Sequence, residues 1–138
     1  EAIRRKSRED NVNRMEFMTN HLDALEPFVD EKVRRHLLAN RRHARPEPAD
    51  SNVLGSQPDA VVTTLRDYQM IGLEWMARMH SRGVPFILGD EMGLGKTLQT
   101  IALVCHLKEN EPGFSGPSLV ICPLSVLYSW CAEVEKHA

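Results

Sequence analysis

The eight residues 90–97, Asp-Glu-Met-Gly-Leu-Gly-Lys-Thr, constrain the fold of this chain more than any other segment. They follow a short apolar run at 86–89 and precede a segment with helical spacing that begins near Thr97. Gly93 and Gly95 permit backbone angles that a Cβ atom disfavours. The pattern predicts a buried strand, a glycine-rich loop and a helix, in that order.

A loop of this kind is suited to binding phosphate. Glycines let backbone N–H groups turn inward, and the first turn of the following helix adds unpaired N–H groups and a partial positive charge. On this reasoning Lys96 reaches the terminal phosphates and is the catalytic candidate, while the Thr97 hydroxyl is the Mg²⁺ ligand. The alternative is a glycine-rich turn that binds nothing. The predicted nucleotide-contacting residues in the octet are Asp90, Glu91, Met92, Gly93, Leu94, Gly95, Lys96 and Thr97.

Composition excludes some classes of protein. The 138 residues have an ordinary charged fraction and a net charge of −2, so overall charge does not indicate a nucleic-acid partner. The three cysteines, Cys105, Cys122 and Cys131, lack metal-type spacing, which predicts buried free thiols in a reducing compartment. We expect no membrane association, because no apolar stretch is long enough to span a bilayer. The chain begins with Glu and ends in what reads as an unfinished helix, so we expect a piece of a longer intracellular protein.

The chain divides into two regions that differ in composition. Residues 1–58 predict a charged helical extension and a linker, in which Asp30 caps a helix from Glu31 to about His43. The basic side of that helix indicates either a patch that binds nucleic acid or an acidic partner, or a solvated helix face. Its candidate contact residues are Arg34, Arg35, Arg41 and Arg42.

Residues 59–138 alternate between helical and strand-like patterns. A helix from about Asp67 to Arg82 is predicted to bury Ile71, Trp75 and Met79 and to end at Gly83. Strands at 86–89 and 118–122 flank a helix from Thr97 to about Glu109, and a last helix follows Pro123. This order predicts an α/β fold with a right-handed βαβ unit and a parallel sheet. In such sheets ligands bind at the carboxyl ends of the strands, where the octet and the turn after residue 122 both fall.

Three blocks of this region resemble one family in order and spacing. They are residues 65–76, the octet followed by Leu98-Gln99-Thr100, and residues 119–127 followed by Trp130. Together they closely resemble the start of a switch/sucrose-nonfermenting-type chromatin-remodelling ATPase, a member of the superfamily two helicase-like proteins. The resemblance covers residues 61–138, and Asp90, unusual for a general phosphate loop, is typical of that family.

The resemblance implies a fold and a set of roles. It implies a partial RecA-like P-loop parallel sheet, the first portion of a helicase ATP-binding lobe, that uses ATP and Mg²⁺. Gln69 would read the adenine edge, since an amide offers both a donor and an acceptor. Pro123, Leu124 and Ser125 would contact the DNA backbone. The partners would be duplex DNA and nucleosomes, and the location the nucleus.

The same resemblance limits what these residues do alone. The acidic box and the arginines that complete hydrolysis in the family do not occur in the 138 residues, so we expect ATP binding without turnover. Two other readings stay open at this point. One is a small P-loop kinase or GTP-binding switch, although no guanine-reading Asn-Lys-x-Asp segment is present. The other is a non-catalytic interaction module built on a decayed or truncated P-loop lobe.

Overall fold

The computed structural model describes residues 2–41, 54–111, 113–114 and 116–138. Within these ranges all regular structure is helical. The α-helices are α1 (Ala2–Asn20), α2 (Leu22–Leu25), α3 (Glu31–Asn40), α4 (Asp67–Ser81), α5 (Lys96–Asn110) and α6 (Leu127–His137). Two 3-10 turns are present at Glu26–Phe28 and Leu124–Val126.

The parallel sheet predicted from the sequence is wrong for the described part of the chain, and with it the α/β class and the RecA-like sheet. Residues 86–89 and 118–122 have no regular secondary structure and form no ladder. Ile87 is 89% exposed, Leu119 86% and Ile121 88%. A strand satisfies its backbone N–H and C=O groups only through a neighbouring strand, whereas a helix bonds within its own segment. An apolar run therefore identifies a segment that is able to pair, but does not show that a pairing strand is present.

The described residues group into two compact units. The first contains the described residues of Glu1–Ser51 and Met79–Phe86, and the second contains those of Asn52–Arg78 and Ile87–Ala138. Helix α4 contributes residues to both units.

The first unit is built on α1 packed against α3. Its buried apolar residues include Leu22 and Leu37. The predicted cap of α3 is confirmed, because the Val33 backbone N–H donates to Asp30 Oδ1 at 2.7 Å. This bond satisfies one of the N–H groups that a helix start leaves without a helical acceptor. The predicted continuation of α3 to His43 lies outside the described residues.

Gly83 ends helix α4, as the sequence predicts. Its φ of +63° is in the left-handed region, and its N–H donates to the His80 carbonyl oxygen at 2.9 Å. A Cβ atom on Gly83 would lie 2.7 Å from the backbone oxygen of Asp10. Both the backbone angle and the close approach of α1 therefore favour glycine here.

The second unit is centred on α5, which packs against α6. Helix α5 buries side chains over most of its circumference, as a helix in a core does, and leaves one side with Thr97, Thr100, Val104 and Lys108 half-buried or exposed. Its buried residues are Leu98, Gln99, Ile101, Ala102, Leu103, Cys105 and Leu107. The prediction of buried thiols holds for Cys105, whereas Cys122 is half-buried and Cys131 exposed; all three are free.

The buried face of α4 differs from the one predicted. Ile71 is 69% exposed and Trp75 36%, whereas Gln69, Leu73 and Met76 are buried. The buried residues of α4 do follow helical spacing, but the first of them is polar. A search for apolar positions therefore assigns the wrong face of this helix to the core. Met79 is buried as predicted.

The end of α6 is attached to the irregular segment 54–66. The Val62 N–H donates to the His137 carbonyl oxygen at 2.9 Å, and the Thr63 hydroxyl bonds His137 Nδ1 at 2.5 Å. Gln57 braces the same segment, since its Nε2 donates to the Val61 oxygen and its Oε1 accepts from the Leu65 N–H, both at 2.8 Å. Among the described residues, no helix combines the length and the apolar character needed to cross a membrane.

Candidate functional site

The glycine-rich loop leads directly into the N-terminus of α5. Gly93 has φ +87° and Gly95 φ +75°, both in the left-handed region, and Gly95 is the residue before the first helical position. The helix thus begins at Lys96 rather than at Thr97. Its first turn contains no acidic residue, so the unpaired N–H groups there face no carboxylate of their own turn. A Cβ on Gly93 would meet nothing within 4 Å, which leaves this side of the loop open.

Lys96 closes the loop on itself. Its Nζ donates to the carbonyl oxygens of Asp90 at 2.7 Å and Glu91 at 2.8 Å. An ammonium group held by two neutral oxygens is available to stronger acceptors, because hydrogen bonds to ionised oxygens are about twice as strong. The loop therefore presents a cation that a phosphate oxygen can capture. Thr97 lies half-buried in the same first turn of α5.

Gln69 of α4 lies against this loop and is only 5% exposed. Its Oε1 accepts from the Arg66 N–H at 3.0 Å, and its Nε2 donates to the Leu94 carbonyl oxygen at 3.2 Å. The structure therefore brings Gln69 to the loop, as the sequence grouping suggested. Adenine reading by Gln69 stays a prediction.

A second glutamine, Gln99 of α5, also contacts the loop and was not singled out from the sequence. Its side chain is fully buried. Its Nε2 donates to Asp90 Oδ2 at 3.2 Å and approaches the Leu94 oxygen at 3.5 Å. Its sequence signals are its place in the Leu98-Gln99-Thr100 block after the octet and an amide at an inward position of a helix whose neighbouring inward positions are apolar.

The turn formed by Pro123, Leu124 and Ser125 is a separate feature. Pro123 precedes the 3-10 turn Leu124–Val126, and the Val126 N–H donates to its carbonyl oxygen at 3.0 Å. All three side chains are exposed. In the described part of the chain, no hydrogen bond joins this turn to residues 90–97. Its contact with DNA stays a prediction.

The predicted basic patch already engages carboxylates of its own unit. Arg34 Nε lies 2.6 Å from Glu26 Oε1, a hydrogen-bonded pair that raises the pKa of the guanidinium. Arg35 lies 3.3 Å from Glu31, and Arg41 Nη2 lies 3.7 Å from an oxygen of Asp23. Arg42 lies outside the described residues. Nothing in this arrangement supports an acidic partner, which stays a prediction.

Comparison with known proteins identifies a matching family and several similar proteins. Residues 68–138 match the SNF2-related domain. A "Probable chromatin-remodeling complex ATPase chain" from Oryza sativa subsp. japonica is 47% identical over 81 residues, 59% of this chain and 7% of that protein. "Chromatin-remodeling ATPase INO80" from Saccharomyces cerevisiae is 46% identical over 80 residues, 58% of this chain and 5% of the relative.

One match reaches further toward the N-terminus. "Helicase swr1" from Emericella nidulans is 42% identical over 114 residues, 82% of this chain and 7% of that protein. A match of this length extends into the charged region before residue 59. In all three comparisons the chain spans less than a tenth of the length of its relative.

Proposed function

Because this chain belongs to the SNF2-related domain family, we propose that its residues 59–138 supply part of the ATP-binding site of a DNA-dependent chromatin-remodelling ATPase. The observation that carries the proposal is the junction at Gly95, where a left-handed glycine places Lys96 at the first position of α5 with its ammonium inside the loop. We assign nucleotide binding to these residues. ATP hydrolysis, action on duplex DNA and nucleosomes, and a nuclear location are proposed for the whole protein.

The loop suits a triphosphate on three counts. Gly93 leaves one side of the loop open, and the first turn of α5 contains no carboxylate. To bind a phosphate, Lys96 gives up hydrogen bonds to neutral carbonyl oxygens and no ion pair. On nucleotide binding, Lys96 exchanges the Asp90 and Glu91 oxygens for phosphate oxygens, while the α5 N–H groups bond the phosphates. We propose that the Thr97 hydroxyl, in the first turn of α5, holds Mg²⁺, which neutralises phosphate charge.

Gln69 retains the bonding capacity that adenine recognition requires. An amide side chain has two N–H donors and two acceptor lone pairs. One donor is used by Leu94 and one lone pair by the Arg66 N–H, so one of each remains. We propose that this remaining pair bonds the adenine edge. Binding of ATP and of GTP with equal affinity by the wild-type chain would contradict this role.

The exposed turn at 123–125 is proposed to contact the DNA backbone. The first N–H groups of a 3-10 turn have no acceptor within it, and the Ser125 hydroxyl adds a further donor. Such contacts position a protein on DNA without reading sequence. Fluorescence anisotropy with a short duplex compares wild type with Ser125→Asp, and equal affinities would refute the contact.

Nucleotide binding is tested by titrating the full chain with Mg-ATP in a calorimeter. Lys96→Ala is expected to weaken binding by about ten- to a hundredfold, the effect of losing a hydrogen bond to a charged group. Lys108→Ala is the matched control, because Lys108 is an exposed lysine in the last turn of the same helix. A wild-type chain that binds no ATP, or equal loss in both variants, would overturn the proposal.

A further inference from the structure

The side chain of Gln99 connects the core of the second unit to both ends of the phosphate loop. The residue is fully buried in α5. Its Nε2 donates to Asp90 Oδ2 at 3.2 Å and lies 3.5 Å from the Leu94 carbonyl oxygen. Asp90 opens the loop and Leu94 precedes the left-handed Gly95, so one amide group spans the loop from start to end.

The same side chain carries a group that destabilises the core. Gln99 Oε1 is buried and has no hydrogen-bond partner among the residues that the structure describes. A buried acceptor without a partner loses its hydrogen bonds to water and forms none with the protein, which destabilises the fold. An apolar side chain of similar volume would fill this position without that loss. The group of Gln99 that forms hydrogen bonds is therefore its NH₂ group, and that group faces the loop.

The space for this amide comes from helix α4. A Cβ atom on Gly72 would overlap Gln99 Oε1. The absence of a side chain at Gly72 lets α4 lie directly against the amide, which leaves the side chain little freedom to turn away. The Asp90 carboxylate also decides the orientation, because an amide oxygen placed next to it would be repelled.

We infer that Gln99 is a positioning residue for the phosphate loop, acting through Asp90 and Leu94. It holds the Asp90 carboxylate on the α5 side of the loop, so that this charge is not free to approach Lys96 or to repel an incoming phosphate. Lys96 holds the backbone oxygen of the same residue at 2.7 Å, so Asp90 is fixed at two points. The effect on nucleotide binding rests on the proposed function, whereas the effect on loop order does not.

The test uses the full chain and three measurements. They are amide hydrogen exchange over residues 91–97 without nucleotide, thermal unfolding, and titration with Mg-ATP. Gln99→Met keeps the buried volume but removes both the NH₂ donor and the orphaned oxygen. It is expected to speed exchange in the loop and to weaken ATP binding about tenfold, the effect of one hydrogen bond to a charged group, without lowering Tm.

A matched substitution and a second variant exclude a general packing effect. Gln57→Met removes a glutamine that braces residues 61–65, so it should lower Tm and leave loop exchange unchanged. Asp90→Ala removes the same bond from the exposed side without altering the core, and should speed loop exchange as Gln99→Met does. In the Asp90→Ala background, Gln99→Met should add less than it does in the wild-type chain, because only the longer 3.5 Å contact with the Leu94 oxygen is left to lose.

Two results would overturn the inference. One is unchanged loop exchange in both Gln99→Met and Asp90→Ala. The other is an effect of Gln99→Met that persists undiminished in the Asp90→Ala background, which would show that Gln99 acts by packing. If the wild-type chain binds no ATP but the two variants still speed loop exchange, the proposed function fails and the positioning role stands.

Discussion

Replacing Gly95 by alanine tests the junction between loop and helix on which the site depends. Gly95 has φ +75° and ψ +37°, a left-handed conformation that costs a residue with a Cβ about 1–2 kcal/mol. Its Cβ would also lie 2.5 Å from Gln69 Nε2, so that amide must move. Moving it breaks the 3.2 Å bond to the Leu94 oxygen, a loss of about 1 kcal/mol. The two terms sum to about 2–3 kcal/mol.

Gly93→Ala separates the two terms. Gly93 has a similar φ of +87°, but a Cβ there would meet no atom within 4 Å. It should therefore cost only the backbone term of about 1–2 kcal/mol. The difference between the two variants measures the contact with Gln69.

Urea denaturation followed by circular dichroism measures both free energies of unfolding. Adding Gln69→Ala to Gly95→Ala removes the side chain that the new Cβ meets, so in that background the Gly95 substitution should cost no more than Gly93→Ala. If Gly95→Ala alone destabilises the chain no more than Gly93→Ala, the reasoning about Gln69 is wrong.

Two further outcomes are expected. Asp30→Ala removes the acceptor of the Val33 N–H and should lower the free energy of unfolding by about 1 kcal/mol in urea titrations. Asp23→Ala is the control, because Asp23 is exposed and caps no helix, and it should change the free energy of unfolding by less than half as much. Burial, and after it the charge of Glu109, raises the pKa of the Cys105 thiol. The stability that this thiol contributes is therefore complete below its pKa in the unfolded chain, and it is lost as the pH rises through its pKa in the folded chain. Iodoacetamide should modify Cys131 first and Cys105 only on unfolding, and equal rates of modification would contradict the burial of Cys105.

The features that the sequence predicted correctly depend on short stretches of chain. Asp30 caps α3 because its carboxylate reaches an N–H three residues later. Gly83 ends α4, and Gly93 and Gly95 shape the loop, because their backbone angles are disfavoured for other residues. Helices α4 and α5 begin and end within a few residues of the predicted bounds, and α6 follows Pro123 as predicted. Local bonds and local backbone strain are readable from neighbouring residues alone.

The prediction of a sheet failed because pairing is not a local property. Residues 86–89 and 118–122 have the composition of buried strands, yet in the ranges that the structure describes no strand lies beside them. The buried face of α4 was misplaced for a related reason. Gln69 occupies the buried stripe because a loop oxygen accepts from its amide, and hydropathy cannot anticipate a polar residue that is satisfied by a distant segment.

The sequence by itself determined that a glycine-rich loop precedes a helix, with Gly93 and Gly95 in the loop. Only the tertiary structure decided how that loop is held. Helices α4 and α5 bring Gln69 and Gln99 to the same carbonyl oxygen of Leu94, and Gly72 leaves room for one of the two amides. Gln69 and Leu94 are 25 residues apart in the chain, and Gly72 and Gln99 are similarly distant, so these two contacts follow from tertiary packing and no pattern of neighbouring residues encodes them.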